Sequence, residues 1–423
     1  MKRDWLSIGL AVFAFFLPWQ VKFILRNGVI NGGQNNFLEI AIYGYFLALV
    51  VFVFFASYQM VLKKYWLKSF SRFNLVLFLL ILSLFLAIFF SPDYGLASSH
   101  FLYFFAGIAL LFLSRFFKKE IRWELVLNTF LISCALSAIL GIFQFSIQQV
   151  PEIKYFVAHH QVSEMAGESV LENMNGRLLR AYGSFDHPNI FGGVMAIALL
   201  LVINRIFKVK NQKEWQVLII AFILFFLALL MSFSRAAWLA FGLALVVRLL
   251  INRRQELFKM LMIFGLSAAI SLVFFSSYSG WLMARVSASG RLENISLQER
   301  WTGIKIVTEQ IIHNPLQPVG LGSSIIFLEK KMPNLSAWVY QPVHNAWLLL
   351  TLETGFWSAI LFLAILVLII LKNKKKQAFA ASLISALFIV SLFDHWLISL
   401  PFGILFCFFV LSISSGEAEE TMV

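Results

Sequence analysis

The sequence predicts an all-α polytopic membrane protein with about 12 transmembrane helices, from its composition, its apolar run lengths and its patterning. Of the 423 residues, 60% are hydrophobic and 13% are charged, whereas soluble domains are about half apolar and about a quarter charged. A helix needs about 20 apolar residues to cross about 30 Å of hydrocarbon. The apolar runs do not alternate polar with apolar residues, so they do not fit a closed β-barrel.

Twelve apolar runs carry this prediction, and the whole chain, 1–423, is predicted to form one membrane domain. The runs lie at 5–25, 37–62, 74–90, 101–117, 123–147, 190–204, 215–231, 236–251, 258–278, 345–371, 377–393 and 396–415. The two shortest, 190–204 and 236–251, reach spanning length only with loop residues. The first run follows "MKRD" directly and is too long for the core of a signal peptide, so we expect an uncleaved anchor.

The distribution of basic residues predicts the orientation, because lysine and arginine are retained on the cytoplasmic side of a membrane. With the N-terminus in the cytoplasm, most of the 34 lysines and arginines fall on that side. Both termini are therefore predicted to be cytoplasmic, with a cytoplasmic tail at 416–423. The net charge of +13 is divided among short loops, so it indicates membrane orientation and not nucleic-acid binding.

The outer face carries the two long loops, at 148–189 and 279–344, whereas the inner loops are short. All seven histidines lie on that face or at its edge, and arginine outnumbers lysine there. The planar guanidinium group suits bidentate binding of phosphate. The working surface is therefore predicted to face outward.

The second long loop contains a predicted surface helix, "SLQERWTGIKIVTEQIIHNP". Ser296 and Glu299 have the spacing of a capping box, apolar residues recur at helical spacing, and an Asn-Pro pair ends the segment. We expect this helix to lie along the outer membrane surface with Arg300 in its first turn. After it, the glycines of "GLGSS" at 320–324 favour a tight turn or a close backbone approach.

The segment "RAYGSFDHPNIFGG", residues 180–193, places polar residues directly before an apolar run. Arg180 is interpreted as an anion ligand, because the Pro-Asn pair opens a helix whose N-terminus also attracts negative charge. A loop cation or a lipid-headgroup anchor is the alternative. Asp186 and His187 equally suit caps for that helix, with Asn189 sharing the task.

Three further arginines are candidates on the outer face. Arg235 in "SFSRAAW" lies between two apolar runs, where an ionisable group is costly and usually has a partner or a task. Snorkelling to the headgroups is the alternative for Arg235. Arg300 and Arg291 are weaker candidates, since a surface helix carries arginine for many reasons.

His344 in "VHNAWLLL" is the strongest candidate for catalysis. It opens a long apolar run at the outer surface, and an unperturbed histidine titrates near neutral pH. That property suits a general base acting on a sugar hydroxyl, although a helix-capping histidine remains the alternative. Asp394-His395-Trp396 closes a short outer hairpin, where anchoring by Trp396 in the membrane interface is the favoured interpretation.

Metal and nucleotide sites fit the sequence poorly. It contains no H-E-x-x-H motif, no Walker loop and no Cys/His cluster at metal-ligand spacing. The pair His159-His160 has no further ligands nearby in the sequence. We therefore expect no metal and no cofactor.

Four segments together resemble the O-antigen ligase and O-antigen polymerase superfamily of bacterial membrane glycosyltransferases. They are "RAYGSFDHPNIFGG", "SFSRAAWLA" with Arg235, "ERWTGIKIVTEQIIHNPLQPVGLG" with Arg300, and "HNAWLLLTLETGFW" with His344. Each is weak alone, but they occur in the family's order, with its large outer loop before the histidine. The resemblance covers about residues 170 to 371 by motif, and the rest of the chain by span pattern.

The resemblance implies a GT-C-like, metal-independent, inverting transferase in the bacterial inner (plasma) membrane. Its donor would be a glycan on an undecaprenyl-diphosphate carrier, and its active site would face outward among membrane lipids. Arg180, Arg235 and Arg300 would hold the diphosphate, and His344 would accept the proton of the acceptor hydroxyl. Further candidate residues around this site are His187, Asn189, Arg291 and Asn345.

Three functions stay open at this point. A ligase would use a lipid A-core acceptor, and a polymerase would use another carrier-linked repeat unit. A lipid-linked oligosaccharide transporter is the alternative from another class, but it should show repeated halves or interrupted helices at matching positions, which the sequence lacks. Glu353, inside an apolar run, is the one acidic residue that favours transport, although pairing with an outer arginine would also explain it.

Overall fold

The computed structural model describes residues 4–62, 71–151, 161–164, 168–173, 176–287, 291–372 and 377–416. Helices make up most of these residues, and they are numbered here in chain order. They are α1 (Trp5–Phe16), α2 (Gly44–Leu62), α3 (Arg72–Ile88), α4 (Tyr94–Phe116), α5 (Trp123–Ile147), α6 (Pro188–Ile206), α7 (Gln212–Met231), α8 (Arg235–Ser277), α9 (Ser279–Ser287), α10 (Arg291–His313), α11 (Ser324–Lys331), α12 (Ala346–Thr354), α13 (Phe356–Lys372), α14 (Gln377–Phe393), α15 (Trp396–Ser399) and α16 (Pro401–Gly416).

By length and composition, the described part of the chain contains seven helical segments that are suited to crossing a membrane, two of them within α8. Five shorter helices of 10–17 residues are also apolar, namely α1, α3, α13, α14 and α16. These helices confirm an all-α polytopic membrane protein. The number of about 12 crossings stays a prediction. The predicted tail at 416–423 lies, after its first residue, outside the described residues.

Short antiparallel strand pairs interrupt the helices. The lengths of the apolar runs did not predict these strands. The first predicted run, 5–25, ends as a helix at Phe16 because Pro18 follows and cannot continue it. The run 37–62 becomes helical only at Gly44. The pairs are β1 (Lys22–Arg26) with β4 (Ile40–Tyr43), β2 (Val29–Ile30) with β3 (Gly33–Gln34), β5 (Gln149–Val150) with β6 (Gln161–Val162), and β7 (Val170–Asn173) with β8 (Gly176–Leu179).

Helix α8 is a folded-back pair and not one straight rod. Its backbone leaves helical geometry at Asn252, with φ −115° and ψ 28°. The rings of Trp238 and Phe275, near its two ends, lie 5.5 Å apart, which a straight helix of 43 residues would forbid. The two predicted runs in this part of the chain are therefore antiparallel neighbours.

Two helix boundaries differ from the sequence-based expectations. Helix α10 begins at Arg291, so the predicted capping box at Ser296 is wrong and lies inside the helix. Glu293 in its first turn favours the earlier start, since a negative charge stabilises a helix N-terminus. The predicted run 345–371 is broken at Gly355, whose φ of 85° ends α12.

Helix α6 occupies the centre of the bundle, because every residue of it except Arg205 is buried. Its two adjacent glycines permit this. A Cβ atom on Gly193 would lie 2.7 Å from the Trp396 ring, and one on Gly192 would lie 2.6 Å from Oγ of Ser232. The polar N-terminus of α6 is thereby fixed against both the turn before α8 and the hairpin before α16.

Segments that were predicted to share the cytoplasmic side contact one another. Arg122 forms an ion pair with Asp4, and Nζ of Lys259 donates to the carbonyl oxygen of Phe207 at 2.6 Å. The first contact joins the N-terminus to the loop after α4, and the second joins the loop after α6 to the part of α8 that follows its kink. The polar residues considered below come from the loops at the other ends of the helices.

Candidate active site

A cavity of 750 Å³ collects most of the predicted site residues, and it is called the arginine cavity below. Three segments line it: residues 164–189 before α6, residues 285–300 around the start of α10, and residues 338–344 before α12. His344, His187 and Asn189 lie in its wall together with five arginines. The arginines are Arg177, Arg180, Arg285, Arg291 and Arg300.

His187 caps helix α6, as the sequence allowed. Its Nδ1 accepts from the backbone N–H of Asn189 at 3.0 Å, so Nε2 carries the ring proton and donates to Oγ of Ser169 at 2.8 Å. Burial, reinforced by the positive charge of Arg180, lowers the pKa of His187 to about 3. This neutral, fully bonded ring serves structure and has no free lone pair for a substrate proton.

Arg180 and Asn189 form one hydrogen-bonded chain that leads to Asp394. Nη2 of Arg180 donates to Oδ1 of Asn189 at 2.7 Å, and Nδ2 of Asn189 donates to Oδ2 of Asp394 at 2.8 Å. Nε of Arg180 donates to the carbonyl oxygen of Ser232 at 2.7 Å. Arg180 is thus held by the N-terminus of α6 and by the turn before α8.

Asp394 is the centre of the histidine part of the site, which consists of His344, Asp394 and His395. Its Oδ1 accepts from the backbone N–H of His395 at 2.8 Å and lies 3.7 Å from Nδ1 of His344. Burial raises the pKa of Asp394, but the adjacent His344 and His395 rings and the charge of Arg300 outweigh burial and hold that pKa well below its ordinary value. The residue is therefore a buried carboxylate facing His344.

His344 combines a buried edge with an exposed edge. Its Nδ1 is buried with no hydrogen-bond partner among the described residues, while the side chain as a whole keeps 20% exposure. Since Nδ1 is the buried nitrogen, Nε2 is the ring nitrogen that remains for a substrate. The neighbouring Asn345 does not line the arginine cavity; its side chain caps α12 by accepting from Trp347 and Leu348.

Arg235 does not line the cavity, but it contacts two residues that do. Its guanidinium donates to Glu293 at 3.2 Å and to the carbonyl oxygen of Arg285 at 3.0 Å. Glu293 also pairs with the Arg285 side chain. Of the three arginines predicted as diphosphate ligands, the structure brings Arg180 and Arg300 to the cavity surface, with Arg235 one contact away.

The arginines crowd one another, which favours binding of an anion. Burial and the positive charges of neighbouring arginines lower the pKa of both Arg180 and Arg285. An anion among them would relieve this repulsion. Nε of Arg177 and Nε of Arg300 are buried without a hydrogen-bond acceptor among the described residues, and such buried polar atoms call for a partner.

Two residues of this site were missed by sequence reasoning. Asp394 was interpreted through its neighbour Trp396 as part of an interfacial anchor, which is wrong because Trp396 is buried and stacks on Phe402. Arg285 was not singled out among the basic residues of the outer face. The sequence does contain a signal for Asp394. An aspartate and a histidine stand side by side in a short loop that needs neither residue to connect its two helices.

The three residues of the histidine part also suit metal binding. His344, Asp394 and His395 each offer one ligand atom, and these atoms lie within 4.8 Å of one another. Imidazole and carboxylate are ligands that zinc accepts. The same group therefore suits either proton transfer or metal binding by its composition.

Glu353 has a structural explanation in this fold. Its buried carboxylate accepts from the backbone N–H of Gly322 at 2.9 Å and of Ser324 at 3.1 Å. The predicted close backbone approach in "GLGSS" is confirmed, since a Cβ on Gly320 would lie 2.3 Å from Cα of Ser91. Glu353 thus ties this turn to α12, and its expected pairing with an arginine is not among the described contacts.

The helices and the arginine cavity together define a multi-pass membrane protein with an arginine-lined cavity next to a histidine–carboxylate pair. Residues 220–363 match the family described as O-antigen ligase, which supports membership of the O-antigen ligase superfamily. That stretch contains Arg235, Arg300 and His344. No curated protein matches the chain. The family supports, in broad terms, a membrane glycosyltransferase of the O-antigen ligase and polymerase type.

Proposed function

We propose that the protein transfers a glycan from an undecaprenyl-diphosphate carrier to an acceptor hydroxyl on the outer side of the membrane. The observation that carries this proposal is that one cavity holds both an arginine cluster and a histidine backed by a buried carboxylate. The arginine cluster suits the binding of a diphosphate, and the histidine–carboxylate pair suits the acceptance of a proton from a hydroxyl group. The helices around them would form a GT-C-like membrane fold.

The arginine cluster would bind the diphosphate of the donor. Arg180 and Arg300 reach the cavity directly, and Arg285 adds a third guanidinium from α9. Arg235 holds Glu293 and through it the position of Arg285. When the bond to the sugar breaks, negative charge grows on the departing diphosphate, and these fixed cations stabilise it.

His344 would act as the general base. Its exposed edge would accept the proton of the acceptor hydroxyl while that oxygen attacks the anomeric carbon and the bond to the diphosphate breaks. A single displacement of this kind inverts the anomeric configuration. Asp394 would orient the ring and stabilise the imidazolium that forms, as the aspartate does in other carboxylate–histidine pairs. No metal is needed for these steps.

The acceptor decides between the two closest functions. The ligase reaction, with lipid A-core as acceptor, is the leading proposal, and polymerisation of carrier-linked repeats is the alternative. Transport of a lipid-linked oligosaccharide has less support, since the carboxylate of Glu353 is engaged by two backbone N–H groups. The active site would face away from the cytoplasm, with both termini cytoplasmic in a bacterial inner membrane, because the basic loops lie at the other ends of the helices.

Purified protein in lipid vesicles tests the proposal directly. It receives a glycan on undecaprenyl diphosphate, together with either lipid A-core or a second carrier-linked repeat unit. A ligase extends lipid A-core and releases undecaprenyl diphosphate, whereas a polymerase extends the carrier-linked acceptor. A protein that releases no undecaprenyl diphosphate with either acceptor would contradict the proposed function.

A further inference from the structure

The three segments that line the arginine cavity differ in the charges they carry. The segments 164–189 and 285–300 supply all five of its arginines and all five of its glutamates. The third segment supplies no acidic residue and no permanent cation, only Trp338, Gln341 and His344. The first two segments therefore offer groups suited to a diphosphate, and the third offers groups suited to an uncharged polar ligand.

Trp338 is the large aromatic side chain of this third segment. It is 65% exposed, although it lies in the wall of a cavity. Indole presents an apolar face together with an N–H donor, and it adds contact area at a low entropic cost because it has few rotatable bonds. Such a face fits the C–H groups on one side of a sugar ring, while the amide of Gln341 both donates and accepts hydrogen bonds, as sugar hydroxyls require.

The backbone that carries Trp338 is fixed by a distant part of the chain. Nδ2 of Asn35 donates to the carbonyl oxygen of Ala337 at 3.0 Å and to that of Tyr340 at 2.9 Å. Tyr340 is fully buried, and Nδ2 of Asn31 donates to the carbonyl oxygen of Leu335 at 2.9 Å. The first outer loop, with β2 and β3, therefore braces the turn on which Trp338 sits, so that this exposed ring has a fixed base.

We propose that Trp338 and Gln341 form the binding platform for the sugar of the acceptor. The proposal rests on the proposed function, in which the donor diphosphate occupies the arginine part of the cavity. His344 must then receive the acceptor hydroxyl, and Trp338 and Gln341 are the other two lining residues of the segment that carries His344. Trp338 acts by stacking on the sugar that carries the attacking hydroxyl.

A matched control is present in the chain. Trp357 at the start of α13 is also 65% exposed, but it lines a separate, largely apolar groove beside Phe356 and Leu361. Trp338→Ala and Trp357→Ala thus remove the same exposed side chain from two different surroundings.

The kinetic test measures transfer against acceptor concentration at saturating donor. Trp338→Ala should raise the KM for the acceptor about tenfold, as expected for loss of an aromatic contact with its buried area. In Trp338→Ala, the kcat and the Kd of the donor should change little. Trp338→Phe should retain most of the affinity for the acceptor. Trp357→Ala should leave the acceptor KM unchanged. An unchanged acceptor KM in both Trp338→Ala and Gln341→Ala would overturn the platform.

A binding test separates this proposal from the proposed function. The probes are the oligosaccharide of lipid A-core without its acyl chains and the repeat-unit oligosaccharide without its carrier. The fluorescence of Trp338, taken as wild type minus Trp338→Phe, should change in a saturable manner with one of these probes even if no transfer is detected. A difference signal that responds to neither oligosaccharide would overturn the platform, whereas absence of transfer alone would contradict only the proposed function.

Discussion

Nδ1 of His344 lies 3.7 Å from Oδ1 of Asp394, although the two residues precede different helices. The carboxylate is held on both oxygens, by the side chain of Asn189 and by the backbone N–H of His395. The distance is longer than a hydrogen bond, and a small movement of the ring would bring the two atoms into hydrogen-bond range. Asp394 is therefore placed to orient His344 and to stabilise its charged form.

Replacement of this carboxylate should lower turnover and spare donor binding. In Asp394→Asn the side chain keeps its shape but loses the charge that stabilises the imidazolium. The kcat should fall by about 10²–10⁴-fold, while the Kd of the diphosphate-linked donor stays near wild type. Single-turnover transfer and donor titration in vesicles measure the two quantities.

Asp186→Asn is the matched control, because Asp186 is an exposed aspartate in the loop before α6. It should transfer glycan at a near wild-type rate. Equal losses in the two variants, or a wild-type kcat in Asp394→Asn with normal folding, would remove Asp394 from the mechanism.

The arginines should separate into direct ligands and a supporting residue. Arg300→Ala removes a guanidinium that lines the cavity, and a charge-assisted contact of about 1.5–3 kcal/mol corresponds to a donor Kd raised by roughly 10- to 150-fold. Arg235→Ala loosens Glu293 instead, so it should raise the donor Kd less and lower the thermal stability more. Titration with undecaprenyl diphosphate measures the Kd, and thermal unfolding measures the stability. A donor Kd that is unchanged in Arg300→Ala would contradict the diphosphate assignment.

Local patterns predicted the helices better than the site. The apolar runs depend on composition alone, and Arg180 and His344 were singled out because a charged or titratable residue beside an apolar run is unusual. The strand pairs were missed because elements of two to five residues carry too little periodicity. Asp394 was missed because its partners, Asn189 and His344, come from other parts of the chain, and only the fold brings them together.

Stability should fall as the pH drops below neutrality. Burial lowers the pKa of both His187 and His395 to about 3, whereas an unfolded histidine titrates near 6.5. Between these values the unfolded chain binds more protons than the folded chain, so the contribution to stability is present above about pH 6.5 and is lost as the pH falls toward 3. The depressed pKa of Asp394 acts in the same direction.

The measurement is the melting temperature in detergent between pH 7.5 and 4.5. It should decrease toward acid in the wild type and decrease less in His395→Asn, which lacks one of the titrating groups. His313→Asn serves as the control, since His313 is exposed at the end of α10 and should leave the slope unchanged. A wild-type slope in both His395→Asn and His187→Asn would contradict the assignment of these histidines as neutral in the folded state.

Transfer should not depend on a divalent cation. The proposed steps use only arginines, a histidine and its carboxylate partner, so enzyme treated with EDTA should keep its wild-type rate. Added Zn²⁺ should inhibit, because His344, Asp394 and His395 offer ligand atoms within 4.8 Å of one another, and the inhibition should weaken in His395→Ala. Activity that EDTA abolishes and a divalent cation restores would instead make this group a metal site.

The rate of the chemical step in His344→Ala tests the central claim most directly. Wild type and His344→Ala, reconstituted in vesicles and saturated with donor, are mixed with the acceptor that the wild type uses, and transfer is followed in a single turnover. Loss of a general base should slow transfer by about 10²–10⁴-fold, leave the donor Kd near wild type, and allow partial recovery by added imidazole. A folded His344→Ala protein that transfers glycan at a near wild-type rate would contradict the account.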